Sequence, residues 1–241
     1  MVFIFDCDGT LVDSEYLNNR ALSEILAEEG FPQYTPEKCL EFFTGFSLED
    51  CLRSIKETHG AAAAFNDRDI IKRYTARTIA NMERDLKIDP QTIPTLSHLH
   101  SLGIDMVVAS NGEFEIVRET VWSAGLADFF PLRKIFTKDM VSYPKPAPDL
   151  FLFAIRKSQS MNAYCIVVED SVPGVIAAKS AGLRVIGITG FAHDPIKRRK
   201  DLLAAGADYV IEKIEQLRDF VNHPQKNDAQ IHTGFAKAQS K

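Results

Sequence analysis

The sequence predicts an α/β protein with a doubly wound, Rossmann-like parallel sheet and an inserted α-helical cap domain. Short apolar runs, such as VFIF at 2–5 and IDMVVA at 104–109, are typical of strands that are covered on both faces. After Pro90 such runs alternate with helical patterns, which is the order of a parallel sheet with helices on both faces. Residues 14–88 show helical periodicity without a strand pattern, which indicates an insertion after the first strand.

The inserted block is predicted to contain several helices. Leu17, Leu22 and Ile25 recur at helical spacing, and Gly30 closes that first helix. Further helices are expected over about 36–44, 47–58 and 66–85.

The alternation that follows predicts the rest of the sheet. A helix ends at Gly103, and later helices are expected over about 113–124, 147–157, 172–181 and 195–204. The strands between them are expected at 104–109, 134–137, 164–168, 183–188 and 209–211. We therefore expect residues 1–13 and 89–222 to form the α/β catalytic core, 14–88 to form the helical cap and 223–241 to be a flexible polar tail.

Composition and charge exclude several functional classes. The chain has 28 Lys+Arg and 33 Asp+Glu, a net charge of −5, which disfavours binding to nucleic acid. No apolar run approaches the roughly 20 residues that span a bilayer, and the apolar N-terminus meets Asp6 too early for a signal peptide. The 4 cysteines form no C-x-x-C pair and no zinc-ligand spacing with histidine. We expect a cytoplasmic protein with reduced cysteines and no membrane association.

Polar side chains follow the predicted strands at the edge where doubly wound sheets bind ligands. Clustered carboxylates repel one another unless a cation neutralises them, and hard oxygen ligands suit Mg²⁺. A metal site, an anion clamp and a free carboxylate together predict phosphoryl transfer. The residues that supply these groups are Asp6, Asp8, Ser110, Asn111, Lys145, Glu169 and Asp170.

Asp6 and Asp8 flank one residue, so in an extended segment both side chains point to the same side. One could attack phosphorus while the other handles protons. Asp8-Gly9 alone is equally typical of a turn, and the other polar strand ends favour the catalytic interpretation. The chain has no P-loop, Gly-x-Gly-x-x-Gly, Gly-x-Ser-x-Gly or His-Glu-x-x-His motif.

The motifs, taken together, resemble those of the haloacid dehalogenase superfamily of phosphohydrolases. They are DCDGTLVDSE at 6–15, SN at 110–111, KP at 145–146 and VVEDSVPGVIAAKSAG at 167–182. The resemblance covers about residues 1–222. The helical insertion resembles the small cap of the branch that holds β-phosphoglucomutase and phosphoglycolate phosphatase.

The resemblance implies a role for each acidic residue. Asp6 would be the nucleophile that forms an aspartyl-phosphate, and Asp8 would protonate the leaving oxygen and then activate water. Mg²⁺ would be bound by Asp6, by the backbone carbonyl of Asp8 and by Asp170, with Glu169 assisting.

The resemblance also implies residues that bind the substrate. Ser110 and Lys145 would hold the phosphoryl oxygens, with Asn111 in support. Gly45, Phe46, Ser47 and Glu49 in the cap are the expected substrate contacts.

Departures from the family pattern narrow the activity. Mutases of this branch usually carry His where this chain has Asn18, and Arg where it has Leu48. Asp8 argues against carbon–halogen hydrolysis, because a halide leaves without a proton. We expect a monomeric, Mg²⁺-dependent phosphatase acting on a small phosphorylated metabolite, either a sugar phosphate or a phosphoglycolate-like compound. A β-phosphoglucomutase-type isomerase and a non-enzymatic binding module on the same fold stay open as alternatives.

Overall fold

Four consecutive buried apolar residues at the N-terminus form the central strand of the sheet. The computed structural model describes residues 1–43, 47–158 and 164–222. Within those ranges the sheet has six parallel strands in the order β3-β2-β1-β4-β5-β6. They are β1 (Val2–Phe5), β2 (Asp105–Ser110), β3 (Ile135–Thr137), β4 (Cys165–Glu169), β5 (Arg184–Ile188) and β6 (Tyr209–Ile211). The chain winds outward from β1 in both directions, which confirms the predicted doubly wound fold.

Helices cover both faces of this sheet. On one face α5 (Thr92–Ser101), α6 (Phe114–Ser123) and α10 (Gln216–Asn222) pack apolar side chains against Phe3 and Phe5. On the other face α7 (Asp149–Lys157), α8 (Val172–Ser180) and α9 (Pro195–Ala204) pack against Ile4 and Val167. Burial on both faces explains why the strands read as continuous apolar runs.

The inserted helices surround a hydrophobic core of their own. They are α1 (Glu15–Glu28), α2 (Pro36–Phe43), α3 (Leu48–His59) and α4 (Asp67–Asp85). Ile25, Leu52 and Ile70 belong to a cluster that involves only this block. The two chain segments that join the block to the sheet run side by side, and the backbone N–H of Asp13 donates to the carbonyl of Lys87 at 3.0 Å.

A second contact holds the helical block to the sheet layer. Leu17 from α1, Met82 from α4 and Ile116 from α6 form a small buried cluster. The hydroxyl of Thr120 in α6 lies 2.8 Å from the sulfur of Met82. The division of the chain into a core and a cap at residues 13/14 and 88/89 stays a prediction that this separate packing supports.

The structure differs from the prediction in the bounds of several elements, by one or two residues, and in one α-helix that was not predicted. β2 and β4 each extend one residue further, through Ser110 and Glu169, because both residues still pair with the neighbouring strand. Helix α10 was not predicted, since its 7 residues are too few to display a clear period. It exists because Leu217 is buried against the sheet domain.

All four cysteines are free and buried, as expected for reduced thiols. In the described part of the chain, none of the helices is both long and apolar enough to cross a bilayer. The expected tail at 223–241 lies outside the described residues.

Candidate active site

Two neighbouring strands, β1 and β4, end at a common point where acidic side chains converge. Asp6 follows β1, Glu169 ends β4, and Asp170 comes next. One carboxylate oxygen from each of these residues lies within 4.8 Å of the others. The parallel pairing of β1 with β4 brings about this approach, because it aligns the carboxyl ends of both strands.

Lys145 is a buried cation in contact with this cluster. Its Nζ donates to Asp6 Oδ1 at 2.6 Å, to Glu169 Oε1 at 2.6 Å and to the carbonyl of Ala109 at 2.7 Å. Burial by itself lowers the pKa of this ammonium, but the charges of Asp6 and Glu169 outweigh burial and raise the pKa above its ordinary value. Lys145 is therefore charged at neutral pH.

Asn111 positions the backbone of Lys145. Its Nδ2 donates to the Lys145 carbonyl at 2.9 Å, and its Oδ1 accepts from the Lys145 N–H at 3.0 Å. Both ends of the amide are thus engaged by one residue. This contact fits the supporting role expected for Asn111, while its contact with phosphate stays a prediction.

Glu169 is fully buried and fixed on both oxygens. Its Oε2 accepts from the N–H of Ser171 at 2.9 Å and from the Ser171 hydroxyl at 2.8 Å, while Oε1 accepts from Lys145. Gly174 in the first turn of α8 makes room for this carboxylate. A Cβ on Gly174 would lie 1.8 Å from Glu169 Oε1, so a larger residue would displace the acid.

Asp170 lies beside the turn that follows β1. The Thr10 hydroxyl donates to Asp170 Oδ1 at 3.4 Å, and a Cβ on Gly9 would lie 2.3 Å from Asp170 Oδ2. Burial and the charge of Glu169 raise the pKa of Asp170 to about 8, against the opposing effect of Arg198. The close approach requires glycine at position 9, where φ is +76°.

Asp8 lies in a different environment from Asp6. Its Oδ1 accepts a short hydrogen bond from the Ser14 hydroxyl. Burial raises the pKa of Asp8, while hydrogen bonds from Ser14, Ser110 and Asn18 and the charge of Lys145 counteract part of that rise. Ser110 also accepts from the N–H of Gly112 at 3.0 Å, which turns its hydroxyl toward the same crevice.

The donor set of the cluster fits a hard divalent cation. Burial raises the pKa of Asp6 well above its ordinary value, and the charges of Glu169, Asp170 and Asp8 raise it further, although Lys145 opposes them. Burial and the repulsion between the carboxylates together therefore outweigh the charge of Lys145. All available ligand atoms are oxygens, which is the set that Mg²⁺ prefers.

The sequence profile of the haloacid dehalogenase-like hydrolases matches residues 3–188 of this chain, which include all of these acidic residues. The chain belongs to this family.

Relatives from this hydrolase family carry phosphatase names. Hexitol phosphatase A of Escherichia coli K12 is 31% identical over 219 residues, with 89% of this chain and 92% of that protein covered. Phosphoglycolate phosphatase of Yersinia pseudotuberculosis is 30% identical and covers 94% of this chain and 95% of its own length. Membership of the hydrolase family and the phosphatase names of these relatives confirm the predicted enzyme class, a phosphoric monoester hydrolase.

The fold of this hydrolase is similar to that of a solved mutase-like protein. The crystal structure of a putative β-phosphoglucomutase from Thermotoga maritima has a TM-score of 0.74 and 26% identity, with 92% of this chain and 98% of that chain covered. This similarity agrees with the branch that the motifs indicated.

The four cap residues expected to contact substrate have different outcomes. Gly45 and Phe46 lie outside the described residues, and Glu49 lies in the first turn of α3. Ser47 is the N-cap of α3, and its Oγ accepts from the Asp50 N–H at 3.1 Å and donates to Asp50 Oδ2 at 2.7 Å. Its hydroxyl is therefore engaged by its own helix, and a substrate contact at Ser47 stays a prediction.

Arg198 contacts the candidate site, and the sequence did not reveal it. The run KRRK at 197–200 is typical of a solvated helix face, but Arg198 Nη1 donates to the Asp170 carbonyl at 2.9 Å and lies 3.8 Å from Asp170 Oδ2. Arg199 donates to the carbonyl of Val210 at 2.9 Å. The sequence offered one signal for Arg198, its position in the chain. It lies in the first turn of α9, which follows β5 at the ligand-binding edge of the sheet.

Proposed function

We propose that this chain hydrolyses a small phosphate monoester, either a sugar phosphate or a phosphoglycolate-like compound, with Mg²⁺ and through an aspartyl-phosphate on Asp6. The strongest support is the position of Lys145, whose ammonium joins Asp6 to Glu169 beside Asp170 and Asp8. A nucleophile, a neutralising cation and a separate proton-handling carboxyl at one edge suit phosphoryl transfer.

In the first step a carboxylate oxygen of Asp6 attacks phosphorus, and the bond from phosphorus to the leaving oxygen breaks. Asp8 gives its proton to that oxygen, so a neutral alcohol leaves. Burial raises the pKa of Asp8, which is the direction that a proton donor requires. Lys145 and the Ser110 hydroxyl stabilise the charge on the phosphoryl oxygens.

In the second step Asp8 takes a proton from a water molecule. The oxygen of that water attacks phosphorus, the bond from phosphorus to Asp6 breaks, and inorganic phosphate leaves. Asp6 regains its carboxylate, and Asp8 regains its proton. Asp8 therefore acts first as an acid and then as a base, while Asp6 is first the nucleophile and then the leaving group.

Asp6, Glu169 and Asp170, with the backbone carbonyl of Asp8, would hold Mg²⁺. When bound, the metal supplies positive charge that neutralises the carboxylates and polarises the phosphoryl group. Ser171 and Lys145 orient Glu169 for this purpose. Arg198 orients Asp170 through its backbone carbonyl.

The names of the relatives support the substrate class. Hexitol phosphatase A and phosphoglycolate phosphatase both indicate small phosphate monoesters. We propose that residues 14–88 act as a cap over the site and that the protein is a monomer.

A screen for phosphate release tests the function. The substrates would be sugar phosphates, phosphoglycolate and nucleotides, assayed with Mg²⁺, after EDTA treatment and after Mg²⁺ is added back. We expect turnover that EDTA abolishes and Mg²⁺ restores, with poor replacement by the larger Ca²⁺. Asp6→Asn protein from the same preparation controls for contaminating phosphatases. Absence of phosphate release from every substrate, or full turnover in EDTA, would contradict the proposal.

A further inference from the structure

Three charged side chains meet where the helical block approaches the loop after β2. Lys138 follows β3 directly, and its Nζ lies 3.4 Å from Glu49 Oε1 and 3.8 Å from Glu113 Oε1. Glu49 belongs to the first turn of α3, and Glu113 is the N-cap residue of α6. We name Glu49, Glu113 and Lys138 the acidic rim.

The acidic rim has a net negative charge, because two carboxylates share one ammonium. The Thr75 hydroxyl donates to Glu113 Oε2 at 3.2 Å, which fixes that carboxylate without neutralising it. The side chain of Glu113 is 27% exposed and that of Glu49 is 46% exposed. A solute can therefore reach both acids.

The acidic rim borders the reaction site. Glu113 is the residue after Gly112, and a Cβ on Gly112 would lie 3.3 Å from Ser110 Oγ and 3.8 Å from Asp8 Oδ2. The N–H of Phe114, the residue after Glu113, donates to Asp139 at 2.8 Å, which fastens the two loops of the rim together. Because Glu113 follows Gly112 directly, we expect a substrate that extends from its phosphate past Gly112 to approach these acids.

A second anionic group on the substrate would find little compensation here. Across the described ranges, the cations at the site and its rim are already paired: Lys145 with Asp6 and Glu169, Lys138 with the rim acids and Arg198 with Asp170. Placing like charges together costs free energy, whereas a carboxylate accepts strong hydrogen bonds from hydroxyl groups.

We propose that the acidic rim selects a phosphate monoester whose far end carries hydroxyl groups and rejects one whose far end carries a second anion. This inference rests on the proposed phosphatase function and narrows its substrate class. It favours a polyol or neutral sugar monophosphate over a phosphorylated acid or a bisphosphate.

Sorbitol 6-phosphate and 6-phosphogluconate form a matched pair for the test. Both have the same six-carbon chain and phosphate, and they differ at the far end, which is a hydroxymethyl group in one and a carboxylate in the other. For the wild-type enzyme we expect kcat/KM to be at least about tenfold higher for sorbitol 6-phosphate, which is a modest effect for one unfavourable charge contact. Dissociation constants for the inactive Asp6→Asn variant, measured by calorimetry, should show the same preference.

Substitutions in the rim should shift this ratio in opposite directions. Glu113→Gln and Glu49→Gln remove negative charge and should lower the preference for sorbitol 6-phosphate several-fold. Lys138→Gln removes the positive charge of the rim and should raise the preference for sorbitol 6-phosphate. Glu115→Gln in α6 and Glu57→Gln in α3 remove one charge each from exposed positions outside the rim, and should leave the ratio unchanged.

The two measurements separate failure of the rim from failure of the phosphatase function. Equal kcat/KM and equal dissociation constants for the two compounds, unchanged in Glu113→Gln, would overturn the rim proposal. Selective binding without hydrolysis of any phosphate monoester would support the rim and contradict the proposed function. A loss of discrimination in the control variants as well would also overturn the rim proposal, because the effect would then be one of total charge.

Discussion

Asp6 and Asp8 stand two positions apart in the chain but face different neighbours. Asp6 contacts the Lys145 ammonium, which counteracts part of the rise in its pKa that burial and the neighbouring carboxylates cause. Asp8 is bonded to the hydroxyl of Ser14, and burial raises its pKa as well. The different contacts, with Lys145 and with Ser14, support a nucleophile at position 6 and an acid at position 8, whereas the sequence motif alone assigns neither role.

Asp8→Asn should separate acid catalysis from metal binding. A sugar alkoxide needs a proton to leave and a nitrophenolate does not, so the variant should lose about 10²–10⁴-fold more activity on a sugar phosphate than on the first step with an aryl phosphate. Stopped-flow measurement should show a burst of nitrophenolate followed by a stall.

Asp13→Asn serves as the matched control, since Asp13 contacts Lys87 through its backbone. It should behave like the wild-type enzyme. Equal losses on both substrates in Asp8→Asn, with no burst, would show that Asp8 has a structural role instead.

At the scale of elements, the starts of α8 and α9 hold the acids that we propose as metal ligands. Ser171 caps α8 by accepting from the Gly174 N–H at 3.1 Å, and the same hydroxyl donates to Glu169. Arg198 in the first turns of α9 holds Asp170. The helix positions were predictable from periodicity, whereas these side-chain contacts depend on how far each helix start lies from β4.

Ser171→Ala should affect both stability and the site. The loss of the N-cap should cost about 1 kcal/mol of unfolding free energy. Asn66→Ala, which removes the N-cap of α4, should cost a similar amount and leave activity intact. Denaturant unfolding and calorimetric Mg²⁺ binding together check this, and unchanged Mg²⁺ affinity in Ser171→Ala would show that its bond to Glu169 is dispensable.

Arg198→Gln should weaken Mg²⁺ binding by about tenfold or more, because residues that orient metal ligands commonly matter to this extent. Arg199→Gln is the matched control, since Arg199 also donates to a backbone carbonyl but at Val210. Isothermal calorimetry compares the two variants. If both lose affinity equally, or neither does, Arg198 does not position Asp170.

For the whole molecule, the sequence predicted the sheet class and the meeting of strand ends, because apolar runs and their polar termini are local features. The sequence did not predict the spatial order of the strands or helix α10, because both depend on packing between distant segments. Glu49 was an expected substrate contact, but its pairing with Lys138 was not predicted, because the two residues are 89 positions apart in the chain. The structure brings them together only through the approach of α3 to the loop after β3.

The most direct test of the account is to locate the phosphoryl group during turnover. Asp8→Asn protein would be mixed with an aryl phosphate and Mg²⁺, quenched in acid, digested and analysed by mass spectrometry. We predict one phosphoryl group on Asp6 in the peptide that contains DCDG, and none in the Asp6→Asn,Asp8→Asn double variant. Nitrophenolate release with no phosphorylated Asp6, or with the phosphoryl group on another residue, would contradict the central role of Asp6.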